Sequence, residues 1–397
     1  MMESASKRPV IRPWGILILI VLCQFLSISV WFAGNAVVPG LAEVLALRPE
    51  DLGHITSAVQ FGFIAGTLVY ALFNIPDRMS PSLVFLISAG LSSLFNLAAV
   101  FPGLDFGNLI FFRMGTGFFL AGVYPVGMKI AADHFETRLG EALGFLVGAL
   151  VLGTALPHAI AGIVSNLSWK IIMIITSGLS LAGGVLIWWL VPDGPYRKPG
   201  QKLDFSAMTR VFRSGPFRSA AFGYFGHMWE LYTFWAFVPI ILKSYSDGHS
   251  GLKLNISFWA FIIIASGGLG CFLAGRFSQN QGTARIAALA LAFSGICCCL
   301  SPVFLTQGSP ALLILFMLFW GMMVVADSPM FSSLVASHAP AETKGTALTI
   351  VNCIGFLITI FSLELISYLQ LRLSFNYLFL FLVPGPAFGL WSLLKRE

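Results

Sequence analysis

Twelve apolar runs, each long enough to cross a bilayer as a helix, occupy most of the chain. They cover residues 14–40, 52–73, 82–100, 108–130, 140–163 and 171–191, then 219–242, 256–275, 286–305, 310–335, 345–369 and 375–394. In hydrocarbon the backbone has no water to bond with, so each run must satisfy its own hydrogen bonds, and helices are the default. A membrane barrel would show alternating segments of about ten residues; none appears. Charged residues make up 10% of the chain, against about 25% in soluble proteins, and the mean hydropathy is +0.87. These values exclude disorder, a disulfide-stapled scaffold and an ordinary soluble enzyme. The predicted class is an all-α membrane protein with twelve transmembrane helices.

The basic residues orient the spans. An even number of spans puts both termini on one side. Of the 23 Lys and Arg, 17 fall on that side, Lys129 among them at the very end of its span; five fall opposite, and Arg113 lies well within a span. Cytoplasmic loops collect Lys and Arg, so both termini are expected in the cytoplasm. The basic amino end runs into a long apolar stretch without a small-residue cleavage site, which reads as a retained first helix. Two N-x-S sites, Asn166 and Asn255, fall at outside ends of spans.

The longest gap divides the spans six and six. We expect an N-terminal bundle over 1–191, a cytoplasmic linker over 192–218, and a C-terminal bundle over 219–397. Within the linker, 205–212 suits a helix lying along anionic lipid.

The two halves repeat at an offset near 200 residues. Pro125 is followed nine positions later by His134, and Pro329 nine positions later by His338. Glu136-Thr137-Arg138 then corresponds to Glu342-Thr343-Lys344, and Ala142-Leu143 to Ala347-Leu348. Parallel six-span repeats mark a known transporter plan, with the site between the repeats near the midplane.

The loop after the second span reads FNIPDRMSPS, and the loop after the eighth reads GRFSQNQGTAR. On these residues the chain resembles the major facilitator superfamily, which places Gly-x-x-x-Asp-Arg-x-Gly-Arg in both loops. Asp77 and Arg78 match the Asp-Arg core, while Phe73, Ser80 and Pro81 replace its other members. Gly275 and Gly282 fit the second copy, where Gln279 and Asn280 replace Asp-Arg. Arg113 and Gly117 fit the family's Arg-x-x-x-Gly element, and Gly144, Gly153 and Pro157 partly resemble its antiporter motif. The resemblance implies alternating access between two bundles, a gating role for Asp77 and Arg78, and a cavity lined by spans one and seven.

An ionisable residue inside the bilayer is costly and points to function. Glu230 sits at the middle of the seventh span, and His227, three positions earlier, shares its face. The two are expected to act as a proton-binding pair, with Asp327 beside Pro329 as a second proton site or a partner of Lys129. Arg113 is expected to face the cavity and offer its forked donors to an anion. Trp31, Asn35, Tyr124, Trp229, Trp235 and Asn352 complete the expected substrate site, as aromatic wall or hydrogen-bond partners. Glu364 and His158 lie nearer the outer surface and suit a cavity rim. Gly140, Gly144 and Gly148 recur every four residues, and Gly267, Gly268 and Gly270 crowd the eighth span, a signal of close helix packing.

The six cysteines all lie in apolar runs and read as small core residues. No Walker loop, HExxH, nucleophile elbow or zinc spacing occurs, so an enzyme, a metal site and a cofactor are not expected. The chain therefore reads as a monomeric secondary transporter of a small organic solute, an organic anion before a cation. It is expected to be coupled to protons and to sit in a bacterial inner membrane, with no nucleic-acid partner. A proton-driven exporter and a non-transporting membrane receptor are the alternatives.

Overall fold

The computed structural model describes residues 13–136, 139–163, 167–197, 210–249 and 252–395. Arg138, Asn166, the basic amino end and most of 205–212 lie outside the described residues.

The described chain is almost wholly helical. Ten helices are long and apolar enough to cross a membrane. The first span, Pro13–Ile28, is shorter and continues after a break as Ala33–Ala36 and Val38–Leu45. The seventh, Gly215–Gly248, completes the twelve. The others are the second (Asp51–Leu72), third (Pro81–Ala98), fifth (Leu139–Ile163), sixth (Trp169–Leu190), eighth (Ile256–Gln281), ninth (Thr283–Thr306) and eleventh (Lys344–Leu369).

The fourth and tenth spans break at matching places, into Phe106–Leu120 with Tyr124–His134 and Pro310–Ala326 with Ser328–His338. Pro125 and Pro329 each sit in the first turn of the second piece, where the missing N–H is not needed. His134 and His338 close these pieces in the same way, each Nδ1 meeting the carbonyl oxygen four residues back, Ile130 at 2.8 Å and Leu334 at 2.7 Å. The twelfth span begins as a 3-10 helix, Phe375–Leu382, and ends as Pro384–Leu394.

The packing repeats with the sequence. The second span packs on the fourth as the eighth does on the tenth, and the third on the sixth as the ninth does on the twelfth. The two six-helix repeats meet mainly where the fifth span crosses the eighth and the second crosses the eleventh.

These crossings are tight at the end of the bundle opposite the termini. There His54 Nδ1 contacts Glu364 Oε2 at 3.0 Å, and a Cβ on Gly53 would strike the Ser367 side chain. Asn255 Nδ2 donates to the Gly162 carbonyl at 2.8 Å, and Gly162 lies against the backbone of Phe258. Toward the terminal end the same helices diverge. At about 100° per residue, Gly140, Gly144 and Gly148 share one face of the fifth span with Val151 and Gly162. Val151 packs near Gly267 of the eighth span, yet a Cβ on any of those three glycines, or on Gly275, would meet nothing among the described residues. The Gly140–Gly148 face is therefore not a packing face in this conformation, contrary to the sequence expectation, because the two helices have parted there. The expected packing does occur at Gly267 and Gly270, which press on the tenth span. The molecule is closed at one end and splayed at the end carrying its termini.

Candidate functional site

Four aromatic rings from four spans close the centre of the molecule. Trp31 of the first span lies 4.8 Å from Phe63 of the second, 5.9 Å from Tyr232 of the seventh and 5.7 Å from Phe356 of the eleventh, between ring centroids. Phe356 also meets Phe63 at 4.8 Å and Tyr232 at 5.2 Å. Trp235 extends the wall, 5.2 Å from Tyr232 and 6.2 Å from Phe32. The rings come from both repeats, so any separation of the repeats at this level opens a slot with aromatic sides. Trp31 and Trp235, expected as cavity aromatics, both belong to this cluster.

Behind Trp31 the first span breaks at 29–32, and Arg113 fills the gap. Its guanidinium donates to the carbonyls of Val30 (3.1 Å) and Trp31, and at 2.8 Å to Asn96 Oδ1. These are carbonyls at the C-terminal end of a helix, where the aligned peptide dipoles leave partial negative charge. Arg113 is wholly buried, and its hydrogen-bond partners among the described residues are neutral. The expected cavity-facing fork is not what is seen: Nη1 and Nη2 are turned to Asn96 and the break, and Nε is buried without a partner among the described residues. Asn96 is fixed in turn, its amide donating to Ser177 Oγ at 2.9 Å and Thr176 Oγ1 at 3.3 Å.

In the second repeat Glu230 and His227 do not pair. The Glu230 carboxylate accepts from Trp320 Nε1 (2.6 Å), Ser294 Oγ (2.9 Å) and Cys298 Sγ (3.2 Å), and so points among the seventh, ninth and tenth spans. His227 Nδ1 instead contacts Asp327 Oδ1 at 2.8 Å, at the break of the tenth span. All three residues are buried. Three positions along a helix bring side chains near each other, but each here finds a better partner on a neighbouring span. Asp327 does not reach Lys129, which pairs with Asp77 at 2.8 Å.

Asn35 Nδ2 donates to Thr56 Oγ1 at 2.7 Å, linking the continued first span to the second. Tyr224 donates to Asn352 Oδ1 at 2.8 Å across the seventh and eleventh spans. Asn352 and Tyr124 are both half-buried, as the splayed end requires. Trp229 is a correction: its Nε1 donates to the Phe381 carbonyl at 3.0 Å and its ring lies against Gly385, so it faces the twelfth span and not the slot. His158 is buried, not at a rim. The Asp77–Lys129 pair lies within the first repeat, and Arg197 donates to the Asp77 and Met79 carbonyls there, while Arg78 is exposed.

Sequence reasoning missed Phe63 and Phe356. With 37 phenylalanines in the chain, nothing distinguishes these two until the second and eleventh spans are seen to cross. His54 was missed because it begins the second span, where a polar residue is ordinary.

The sequence pattern of the Major Facilitator Superfamily matches residues 20–363. A gallate transporter of Pseudomonas putida is 23% identical over 97% of this chain and 92% of its own length. A 4-hydroxybenzoate transporter of Pseudomonas aeruginosa is 25% identical over 45% of this chain and 40% of its own length. Among solved structures, a D-xylose–proton symporter superposes with a TM-score of 0.77 at 15% identity, covering 96% of each chain. A bacterial homologue of the lysosomal transporter Spinster gives 0.67 at 14% identity, over 97% of this chain and 94% of that one. The twelve helices, their repeat and the sequence match agree: the chain belongs to the major facilitator superfamily and is a multi-pass membrane transporter, not an enzyme.

Proposed function

We propose that the chain is a proton-coupled secondary transporter of aromatic carboxylates, working by alternating access. The observation that carries this reading is the aromatic cluster where the repeats meet, which parts into a slot when they separate, with Arg113 set behind it. Trp31, Phe63, Tyr232 and Phe356 suit a flat ring, which stacks at about 4.5–7 Å between centroids. Arg113 brings a buried positive charge with only neutral hydrogen-bond partners to the back of that slot. A buried charge is costly unless compensated, and a carboxylate entering beside Trp31 supplies the compensation without displacing the carbonyls. The two relatives whose names specify gallate and 4-hydroxybenzoate favour the same class.

The His227–Asp327 contact is the proposed proton site, and Asp77 and Arg78, with Lys129, the proposed elements of a gate at the terminal end. The repeats, over 1–191 and 219–397 with the linker between, rock about the slot, and one chain suffices for this. The charge of the loops favours both termini in the cytoplasm, and the Pseudomonas relatives favour a bacterial plasma membrane.

The test is uptake of labelled 4-hydroxybenzoate into proteoliposomes holding the full chain, with and without an imposed pH gradient. Uptake raised by the gradient supports the reading. Absence of any exchange for benzoate, 4-hydroxybenzoate and gallate would refute it.

A further inference from the structure

Gln60 is wholly buried, and neither its amide nitrogen nor its oxygen has a hydrogen-bond partner. It lies one helical turn beyond Thr56 and three residues before Phe63, on the part of the second span that crosses the eleventh. Asn35, bonded to Thr56, and Trp31, packed on Phe63, flank it on the first span, and Asn35 Oδ1, Trp31 Nε1 and, on the seventh span, Trp235 Nε1 are also buried without partners among the described residues. The Asn35 orientation follows from its network. Thr56 Oγ1 already donates to the Leu52 carbonyl at 2.9 Å, so it accepts from Asn35 Nδ2 and leaves the Asn35 oxygen free. Each such buried group is costly to leave unpaired. These groups lie on the spans that meet at the aromatic rings, whereas the large majority of buried polar groups in proteins are paired.

The chemistry of the set is specific. It holds two free acceptors, Gln60 Oε1 and Asn35 Oδ1, and three free donors, Gln60 Nε2 and the two indole N–H groups. A carboxylate only accepts and would leave the acceptors unpaired. A hydroxyl both donates and accepts, and matches an amide on both of its atoms.

We propose that Gln60, with Asn35, forms a subsite that reads a ring hydroxyl of the transported aromatic acid. The ring lies in the slot of Trp31, Phe63, Tyr232 and Phe356, and its hydroxyl donates to an amide oxygen and accepts from the Gln60 nitrogen or an indole N–H. This rests on the aromatic-acid reading above and adds to it the basis for choosing hydroxylated rings over bare ones.

The experiment compares binding of benzoate and 4-hydroxybenzoate to the purified full chain and to Gln60→Met, which keeps the length and removes both polar atoms. The wild type should prefer 4-hydroxybenzoate by roughly tenfold or more, since a site built to hydrogen-bond a hydroxyl discriminates against its absence. In Gln60→Met that ratio should fall close to one, with the loss in the hydroxylated probe. A wild type without the preference, or an unchanged ratio in the variant, overturns the proposal. If Gln60→Met loses benzoate as well, Gln60→Asn decides: a reduced ratio supports the subsite and an undiminished one overturns it. Should the wild type bind neither acid, the aromatic-acid reading falls and this subsite with it. Benzoate binding with no hydroxyl preference sinks the subsite alone.

Discussion

His227 Nδ1 lies 2.8 Å from Asp327 Oδ1, joining the middle of the seventh span to the break in the tenth. A buried histidine–carboxylate contact changes its attraction when a proton is added or lost, because the low-dielectric surroundings weaken screening. Asp327 also precedes the second piece of its span, so it sits at a joint. Replacement of Asp327 by Asn keeps the shape and removes the proton-binding carboxylate. Substrate exchange across proteoliposomes is expected to survive within a few-fold, while accumulation driven by a pH gradient is lost. Undiminished pH-driven accumulation in Asp327→Asn would remove this pair from the coupling mechanism.

Glu230 calls for a different outcome. Its oxygens satisfy Trp320, Ser294 and Cys298, and Glu230→Ala strands two strong donors at a cost of about 1–3 kcal/mol each. Glu230→Gln retains one acceptor for Trp320, and Ser294 can turn to accept from the new amide. Thermal unfolding in detergent should show Glu230→Ala several degrees below wild type and Glu230→Gln close to it. Gradient-driven uptake by Glu230→Gln should persist. Equal melting temperatures for the two variants would show that the hydrogen-bond cage does not stabilise the fold.

How far the sequence led can be judged from these residues. The repeat that sets Pro125 and Pro329 in register was legible, but that both spans break there was seen only in the fold, where each proline opens a second helical piece. The depth of Glu230 and His227 was legible from span length. Their partners were not. The seventh span is buried on nearly every side, and a helix apolar all round gives no sign of which face meets which neighbour. Trp229 and Trp235 were therefore read as one aromatic wall and Glu230 as the proton partner of His227, yet the three point to the twelfth span, the aromatic cluster, and the ninth and tenth spans, respectively. Arg113 was placed at the right depth, but no pattern announced that the first span would break beside it.

The glycines separate packing from movement. Gly117 lies against the Val59 carbonyl and Gly62 against that of Met114, where the second and fourth spans touch. Gly117→Ala should destabilise by about 1–3 kcal/mol through overpacking, seen as a lower melting temperature. Gly144 faces open space. Gly144→Leu should melt near wild type but transport at least tenfold more slowly, if the fifth and eighth spans must meet along this face when the terminal end closes. Normal transport by Gly144→Leu would mean that this face never closes.

The closed end offers a complementary test. His54 and Glu364 bring the second and eleventh spans together across the two repeats, with side chains 43% and 34% exposed. So exposed a pair contributes little to stability, but its position makes it a reporter. A double variant, His54→Cys with Glu364→Cys, treated with a short bis-methanethiosulfonate crosslinker should be bridged and hold this end shut. Transport should then fall at least tenfold and return on reduction, while treated wild type is unaffected. Full transport with the crosslink formed would exclude opening at this end.

Asn96 tests how Arg113 is held. It receives one Arg113 nitrogen and passes the constraint to Thr176 and Ser177 on the sixth span. In Asn96→Leu the arginine keeps its carbonyls but loses this donor–acceptor bond, one of the charge-assisted kind worth about 1.5–3 kcal/mol. The variant should melt lower and bind aromatic acids more weakly, by roughly tenfold. Asn96→Asp gives Arg113 a formal countercharge and should recover stability while weakening acid binding further, because the cargo then no longer supplies the missing negative charge. Wild-type affinity in Asn96→Asp would show that the charge on Arg113 does not draw the substrate, and would leave the aromatic slot to account for binding alone.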